Sequence, residues 1–416
     1  MQENARYAVG IDIGTTTVRC VVGHIDQTTG TPTIVGVGTA VNTGMRKGGI
    51  AHLSGPAQAI DDALGEAERM SGYQVDEATI SINGSHILST KADGMIAVGA
   101  ADHEINEEDL LRIEEVATIG KVPANREILE VVPHSYRLDG QDNIKDPLGM
   151  TGTRLEINAN VISALTPYLT NVQKTAEIAK VTPHDIIPAV VAAARAVLTE
   201  QQLENGVAVL DLGGATTSIA IFEEGDLQYV SVIPVGGMNI TNDLAIGLKT
   251  DPEIAEKVKL AHASAVARES NDTVSVKHDK EVYEFTTHDI DEVVDARLEE
   301  IFEAVHKELK KAGYAGKLPS GVILTGGASR MKHMVEYAKQ SLGLAARKGA
   351  AKGFGGVVEH IDEPQFAAAV GLMLTDVVAT PSTTSHKYSS NGVKGAGLTA
   401  KRAGGILSGI LGRFKA

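Results

Sequence analysis

Tryptophan is absent from this chain of 416 residues, cysteine occurs once, and aromatic residues make up only 4%. A protein that grips nucleic acid needs flat side chains to stack bases and a basic surface to follow phosphates. This one offers neither: 38 Lys and Arg stand against 53 Asp and Glu, a net charge of −15, so no nucleic-acid partner is expected. Cys20, the single cysteine, sits in an apolar stretch, which excludes a disulfide framework and a thiolate metal site and suits a reducing, cytosolic compartment. Met1 to Tyr7 lacks the apolar centre of a secretory leader, and no run of about 18 apolar residues occurs, so no bilayer-spanning helix is expected. What the chain does have is length, enough for two large domains with a core each.

The stretch around which the chain is organised is Val9-Gly10-Ile11-Asp12-Ile13-Gly14-Thr15-Thr16-Thr17-Val18-Arg19-Cys20-Val21-Val22, a buried strand that turns at Gly14 and returns. Apolar neighbours leave the Asp12 carboxylate at the mouth of a sheet, where an unpaired charge is costly and a hydrated metal is the usual partner. Gly14 lets the backbone fold without a Cβ, and the amides and hydroxyls of Thr15, Thr16 and Thr17 can face one polyanion. A tight turn rich in strand formers has the same composition, so one copy does not decide the matter. A second copy lies 199 residues further on: Ala208-Val209-Leu210-Asp211-Leu212-Gly213-Gly214-Ala215-Thr216-Thr217-Ser218-Ile219 repeats the aspartate, the glycine and the flanking strands. Such self-similarity implies a duplicated domain, and two facing hairpins can grip one nucleotide from opposite sides. A third stretch, Gly321-Val322-Ile323-Leu324-Thr325-Gly326-Gly327-Ala328-Ser329-Arg330-Met331, is a strand ending in a glycine pair, with room for a flat base against backbone.

In order and spacing these three stretches resemble the two phosphate loops and the adenosine loop of the actin, Hsp70 and sugar-kinase superfamily. Within it the chain is most similar, over nearly its whole length, to the FtsA family of bacterial cell-division proteins. The resemblance implies an α/β, actin-like (ribonuclease H-like) duplicated fold with an inserted small α/β subdomain, a C-terminal linker and an amphipathic helix. It further implies ATP and Mg²⁺ as ligands. Asp12 and Asp211 would hold the metal through water, the hairpins with Gly14 to Thr17 and Gly213, Gly214, Ala215 and Thr216 the phosphates, and Gly326, Gly327, Ala328, Ser329 and Met331 the base. Arg19 matches a basic phosphate-side position. Nothing in the sequence announces a general base, so slow hydrolysis and simple nucleotide-dependent switching are both open.

Taken in order, Thr33 to Val41 reads as a third strand and Ser54 to Met70 as a helix with Ile60, Leu64 and Ala67 on one face. Glu77 to His86 reads as a strand leading into the insertion, which holds a helix from Asn106 to Ile119, capped by Asn106, and strands Glu127 to Leu138 and Thr153 to Leu165. Ile80-Ser81-Ile82-Asn83-Gly84-Ser85-His86-Ile87 is similar to the corresponding FtsA strand; His86 suits a surface or capping residue better than a metal ligand and is given no role. Pro183 to Leu198 and Pro364 to Leu374 read as helices whose alanines and glycine allow a close crossing. The pair Gly236-Gly237 opens a helix whose N-terminus could add amides to the phosphate site. On the helix Asp251 to Ala265, Glu256 and Lys259 share a face; the resemblance implies contacts to ribose and adenine, and an i,i+3 ion pair is the alternative. Strands at Thr273 to Val276 and Val282 to Thr286 precede a helix from Ile290 to Lys311. In FtsA proteins this region docks the C-terminal tail of the tubulin-like protein FtsZ, and Arg297 matches a basic position for that contact; a solvated arginine among acids is the alternative.

The implied boundaries are 1–83 and 166–198 for the first lobe, 84–165 for the insertion, and 199–235 and 316–360 for the second lobe. Its small subdomain is 236–315, 361–378 is a connecting helix returning to the first lobe, 379–397 a linker and 398–416 the terminal helix. Past Asp376 there are six Lys and Arg and no acid, which leaves the rest of the chain at −21. Residues 379–397 have the Ser, Thr, Gly and Pro content of a flexible linker. Ile406, Leu407, Ile410, Leu411 and Phe414 then occupy roughly 140° of a helical wheel with Arg402 and Arg413 at one edge, the layout of an interfacial membrane helix. A helix folded back on the body is the alternative. Burying five such side chains gains roughly 1.5–3 kcal/mol each and ordering about a dozen residues costs roughly 1–2 apiece, so one tail binds an anionic membrane weakly and a filament of self-associated chains supplies the avidity. A sugar kinase has no use for such a tail, an Hsp70 chaperone needs a peptide domain for which too little chain follows Leu374, and a pilus-assembly ATP-binding protein of the PilM type is the nearest competitor.

Overall fold

The computed structural model describes residues 6–26, 30–99, 103–356 and 360–377, and the backbone of 378 and 379. The linker and terminal helix, with Arg402, Ile406, Leu407, Ile410, Leu411, Arg413 and Phe414, lie outside the described residues. No described helix is long and apolar enough to cross a membrane.

The first lobe begins with β1 (Arg6–Ile13), β2 (Thr17–Ile25) and β3 (Pro32–Val41), an antiparallel meander, followed by a small hairpin of β4 (Met45–Arg46) and β5 (Gly49–Ile50). Helix α1 (Ser54–Ser71) buries Ile60, Ala63, Leu64 and Ala67 against it, and β6 (Glu77–Ile82) joins β1 in parallel. The chain then leaves for an inserted layer: β7 (Leu88–Ala97), α2 (Glu107–Thr118), β8 (Arg126–Leu138), β9 (Gln141–Ile144) and β10 (Arg154–Leu165), with sheet order β7-β10-β8-β9. Asn106 caps α2 as its sequence position indicates, its side chain accepting from the Asp109 amide at 3.0 Å. Strands β7 and β9 had no counterpart in the sequence reading; Lys91, Asp93 and Gly94 interrupt any apolar alternation in β7, and its pairing with β10 along ten residues comes from the partner strand. After α3 (Thr166–Ile178), β11 (Thr182–Pro188) completes the first sheet as β3-β2-β1-β6-β11.

Here the expected helix from Pro183 is corrected: its first turns are β11, and α4 (Ala189–Val197) starts only after Pro188. Proline pushes the preceding Ile187 to extended backbone, and Ile186 and Ile187 are buried in the sheet. A short α5 (Glu200–Asn205) leads to the second lobe, β12 (Val207–Leu212), β13 (Thr217–Glu223) and β14 (Asp226–Ile233). Its small subdomain comprises α6 (Gly237–Gly247), α7 (Pro252–His262), the hairpin β15 (Thr273–His278) and β16 (Glu281–Thr286), and α8 (Thr287–Ala312). The sheet then finishes with β17 (Val322–Thr325), α9 (Met334–Leu342) and β18 (Ala346–Lys348) as β14-β13-β12-β17-β18, the strand order of the first sheet repeated. Pro364–Phe366 form a 3-10 turn rather than the expected start of the last helix, α10 (Ala367–Ala379).

Helices α4 and α10 cross beneath the space between the lobes. A Cβ on Gly371 would stand 1.7 Å from the Ala192 carbonyl oxygen, and one on Gly10 would stand 2.3 Å from that of Ala369, so the crossing and the seating of α10 on β1 both require the bare glycine backbone. The small residues read from the sequence therefore set how closely the lobes share their connecting helices.

Candidate functional site

Above that crossing lies a cleft of about 820 Å³, walled by the β1–β2 and β12–β13 turns, the end of β6, helices α6 and α7, and the loop after β17. Asp12 stands near the end of β1 and Asp211 near the end of β12, and each receives a hydroxyl from the adjacent parallel strand in the same register. Ser81 on β6 donates to Asp12 Oδ1 at 2.9 Å, and Thr325 on β17 lies opposite Asp211 with its hydroxyl 3.4 Å from Oδ1. Burial pushes the Asp12 carboxyl above the usual range, with Arg19 and Ser81 opposing. Asp211 is pushed up to about 7, first by burial and then by the Asp12 charge, with Thr325 and Arg19 opposing. Two such acids titrate as a pair and do not both hold charge comfortably without a cation.

That donor set fits Mg²⁺ in hydrated form. Two carboxylates face a cleft open to water, and among the described residues there is no group of three His, Cys, Asp or Glu that would strip the ion's shell. Arg19 pairs in register with Asp12 across β1 and β2, acts on both aspartates through space, and has its guanidinium 5.5 Å from the Phe366 ring centroid. The two turns touch: a Cβ on Gly214 would lie 3.0 Å from the Thr16 methyl.

Comparison with known proteins agrees with this architecture. A family model described as "Cell division protein FtsA" matches residues 208–371, and one described as "SHS2 domain inserted in FTSA" matches 84–163. The chain is 34% identical over 376 residues to the cell division protein FtsA of Pseudomonas aeruginosa, covering 89% of each, and 34% identical over 377 residues to that of Bacillus subtilis, covering 90% of this chain and 84% of the other. The chain belongs to the FtsA family. Among solved structures it is similar to a PilM-PilN type IV pilus biogenesis complex, at TM-score 0.64 and 17% identity over 89% of this chain and 98% of that one. It is also similar to MreB5 of Spiroplasma citri bound to ADP, at TM-score 0.53 and 14% identity over 88% and 94%. At those identities the likeness is one of fold, the actin-like fold that the family resemblance implied.

In this FtsA family member the cleft brings together Asp12, Gly14, Thr15, Thr16, Thr17, Arg19, Asp211, Gly213, Gly214, Thr216, Gly237, Glu256, Lys259, Gly326, Gly327 and Ala328. Four of the residues read as ligand contacts do not line it. Ala215 sits half-buried at its turn, and Met331 packs against the second-lobe core. Ser329 is fully buried and donates its hydroxyl to the Gly326 carbonyl at 2.7 Å. Gly236 lies beneath the second turn, where a Cβ would come within 2.7 Å of the Gly213 oxygen.

The expected phosphate-binding amides of α6 are likewise corrected. The Gly237 and Met238 N–H groups donate to the carbonyls of Gly213 and Gly214 at 2.9 and 2.6 Å, because those turn carbonyls have no ladder partner. Helix α6 buttresses the turn instead. Glu256 and Lys259 line the cleft as an ion pair at 2.6 Å, and Lys259 also donates to Thr241 Oγ1 at 2.7 Å and to the Gly237 carbonyl at 3.1 Å. Arg297 on α8 is held by Asp243 of α6, with Nη2 to Oδ1 at 3.0 Å, and by Glu300. His86 is buried rather than at the surface and bonds the Asn83 carbonyl at 3.1 Å in the turn between β6 and β7; burial pushes its ring down to about 4 and keeps it neutral.

Sequence reasoning missed Ser81, Thr325 and Asn83. The signal was present: Ile80-Ser81-Ile82-Asn83 and Leu324-Thr325-Gly326-Gly327 occupy the same place in the two halves, each hydroxyl beside its aspartate.

Proposed function

We propose that this FtsA family protein binds Mg²⁺ and ATP between its lobes, assembles into filaments, and tethers FtsZ to the cytoplasmic face of the cell membrane at the division site. The observation that carries the reading is the pair of mirrored turns, each with an aspartate and a supporting hydroxyl, lining one cleft of nucleotide size. Magnesium, when bound, would neutralise phosphate charge between Asp12 and Asp211. The turn amides and threonine hydroxyls would hold the phosphates, Gly326 to Ala328 would offer a flat backbone to the base, and Arg19 would answer charge at the phosphate end. Of the carboxylates lining the cleft among the described residues, Asp12 and Asp211 are assigned to the metal while Glu256 and Glu253 lie against Lys259 and His278, which favours nucleotide-dependent switching over rapid turnover.

The remaining parts rest on family membership and on the tail sequence. Residues 398–416 would lie in an anionic membrane surface as an amphipathic helix, and the FtsZ tail would dock on the small subdomain of the second lobe near Arg297, exchanging Glu300 for a tail carboxylate. Two measurements test the reading. Labelled ATP with Mg²⁺ should bind the wild type and be lost in Asp12→Ala and in Asp211→Ala; equal retention in either would refute the site. Liposome flotation should carry the full chain and leave a version ending at Ala396 behind. Equal flotation of both, or of neither, would remove the membrane role.

A further inference from the structure

Asn83 directly follows β6 and precedes Gly84, the residue at which the inserted-domain match begins. Its side chain spans the boundary between the lobes. Nδ2 donates to Thr216 Oγ1 at 3.1 Å, while Oδ1 accepts from Ser218 Oγ at 3.1 Å and from the Gly84 N–H at 2.8 Å. An amide N–H can only donate, so the Gly84 contact fixes which end of the carboxamide faces which way. Because Thr216 Oγ1 accepts from Asn83, its own proton is left free for a cleft that Thr216 lines, and a phosphate oxygen there would complete a hydrogen-bond chain from ligand to Asn83.

The other side of Asn83 leads into the insert's root. His86 bonds the Asn83 carbonyl and stacks on Tyr168 with ring centroids 4.0 Å apart. Arg126 of β8 donates to the His86 carbonyl and, at 2.9 Å, to that of Ser163 on β10. At its far side the insert meets the second lobe at β14 and the turn before it: His134 bonds the Leu227 carbonyl at 3.1 Å, Asn160 the Gln228 carbonyl at 3.1 Å, and Lys145 the Asp226 carboxylate at 2.9 Å. The duplicated half carries no amide at this place. Two residues after Thr325, where Asn83 stands two after Ser81, is Gly327, whose hypothetical Cβ meets nothing within 4 Å.

We propose that Asn83 is a positioning residue that couples occupancy of the phosphate end of the cleft to the inserted subdomain, so that the surface of residues 84–163 differs between nucleotide-bound and nucleotide-free chains. The proposal rests on the nucleotide reading above. Hydrogen exchange measured on the full chain with and without a non-hydrolysable ATP analogue and Mg²⁺ tests it, alongside a separate measurement of the analogue's Kd. In the wild type, amides of the insert should exchange about tenfold more slowly when nucleotide is bound. With the chains compared at saturating analogue, whatever their Kd, that difference should vanish in Asn83→Ala; Ser218→Ala, which removes a single hydrogen bond, should halve it and serves if Asn83→Ala does not fold. An undiminished difference in the variants, or nucleotide binding by the wild type with no change in the insert, overturns the coupling and leaves the site intact. Failure of the wild type to bind the analogue overturns the site, and the coupling with it.

Discussion

The two aspartate turns share a strand order, a register and a supporting hydroxyl, yet they differ in what faces the aspartate across the hairpin. Asp12 pairs with Arg19, whereas Asp211 pairs with Ser218. The first turn thus carries its own counter-charge. The second carries a small hydroxyl that reaches instead to Asn83 of the opposite lobe. The two carboxylates are equivalent in place and both are pushed up first by burial; Arg19 opposes the shift at each, and at Asp211 the Asp12 charge adds to it. One guanidinium acting on both aspartates does not match two negative charges, an imbalance that a divalent cation would offset in the proposed nucleotide-bound state.

The largest effect should come from removing either charge. Asp12→Asn and Asp211→Asn should each weaken binding of ATP by on the order of a hundredfold when Mg²⁺ is present, and by much less in excess chelator, as titration calorimetry would read. If only one of the two matters, the turns are not equivalent metal partners. Next in size is the pH dependence of the nucleotide-free chain. A carboxyl near 3.8 when unfolded and near 7 when folded binds more protons in the native state, so stability falls as pH rises between those values and is level above them. Asp211→Asn should therefore match the wild type near pH 4 and exceed it at pH 8 by about 1–3 kcal/mol in urea unfolding, allowing for the cleft's water. On the proposed function, the same cost should make Mg²⁺ and nucleotide bind more tightly above pH 7 than below it. A variant no more stable at pH 8 would mean that Asp211 is not strained by burial.

Much of this was legible because a charge inside an apolar strand is rare and its repetition rarer. Asp12, Asp211, the glycines beside them and the Gly326-Gly327 pair could be read without any structure. The capped helix from Asn106 was legible too, since Asn106 and the acids after it carry their own local chemistry. What stayed hidden is polar side chains whose partners are distant in sequence. A serine or asparagine on a strand looks the same whether it faces water or an aspartate 69 residues away, as Ser81 does. For β7 and β11 the deciding information lay in the neighbouring strand, and for β11 the alanine run that follows Pro188 drew the expected helix too far forward. The N-terminus of α6 misled for a different reason: its amides were counted as free before the carbonyls of Gly213 and Gly214 were counted at all.

The smallest effects should sharpen the comparison most, because they fall on the two hydroxyls at equivalent places. Ser81 Oγ donates to Asp12 and accepts the Ile13 N–H at 2.8 Å, so Ser81→Ala would orphan a buried backbone donor as well as a carboxylate oxygen. Among the described residues Thr325 Oγ1 makes only long contacts, 3.4 Å to Asp211 and 3.5 Å to the Leu210 carbonyl, and its loss strands nothing comparable there. Unfolding of the nucleotide-free chains should show Ser81→Ala destabilised by about 1–2 kcal/mol and Thr325→Val by a few tenths, roughly the isosteric cost of a weak bond. Equal losses would mean that the two halves kept their hydroxyls for the same structural reason. An unequal pair places the first strand's serine in the scaffold, with the second strand's threonine adding little to it.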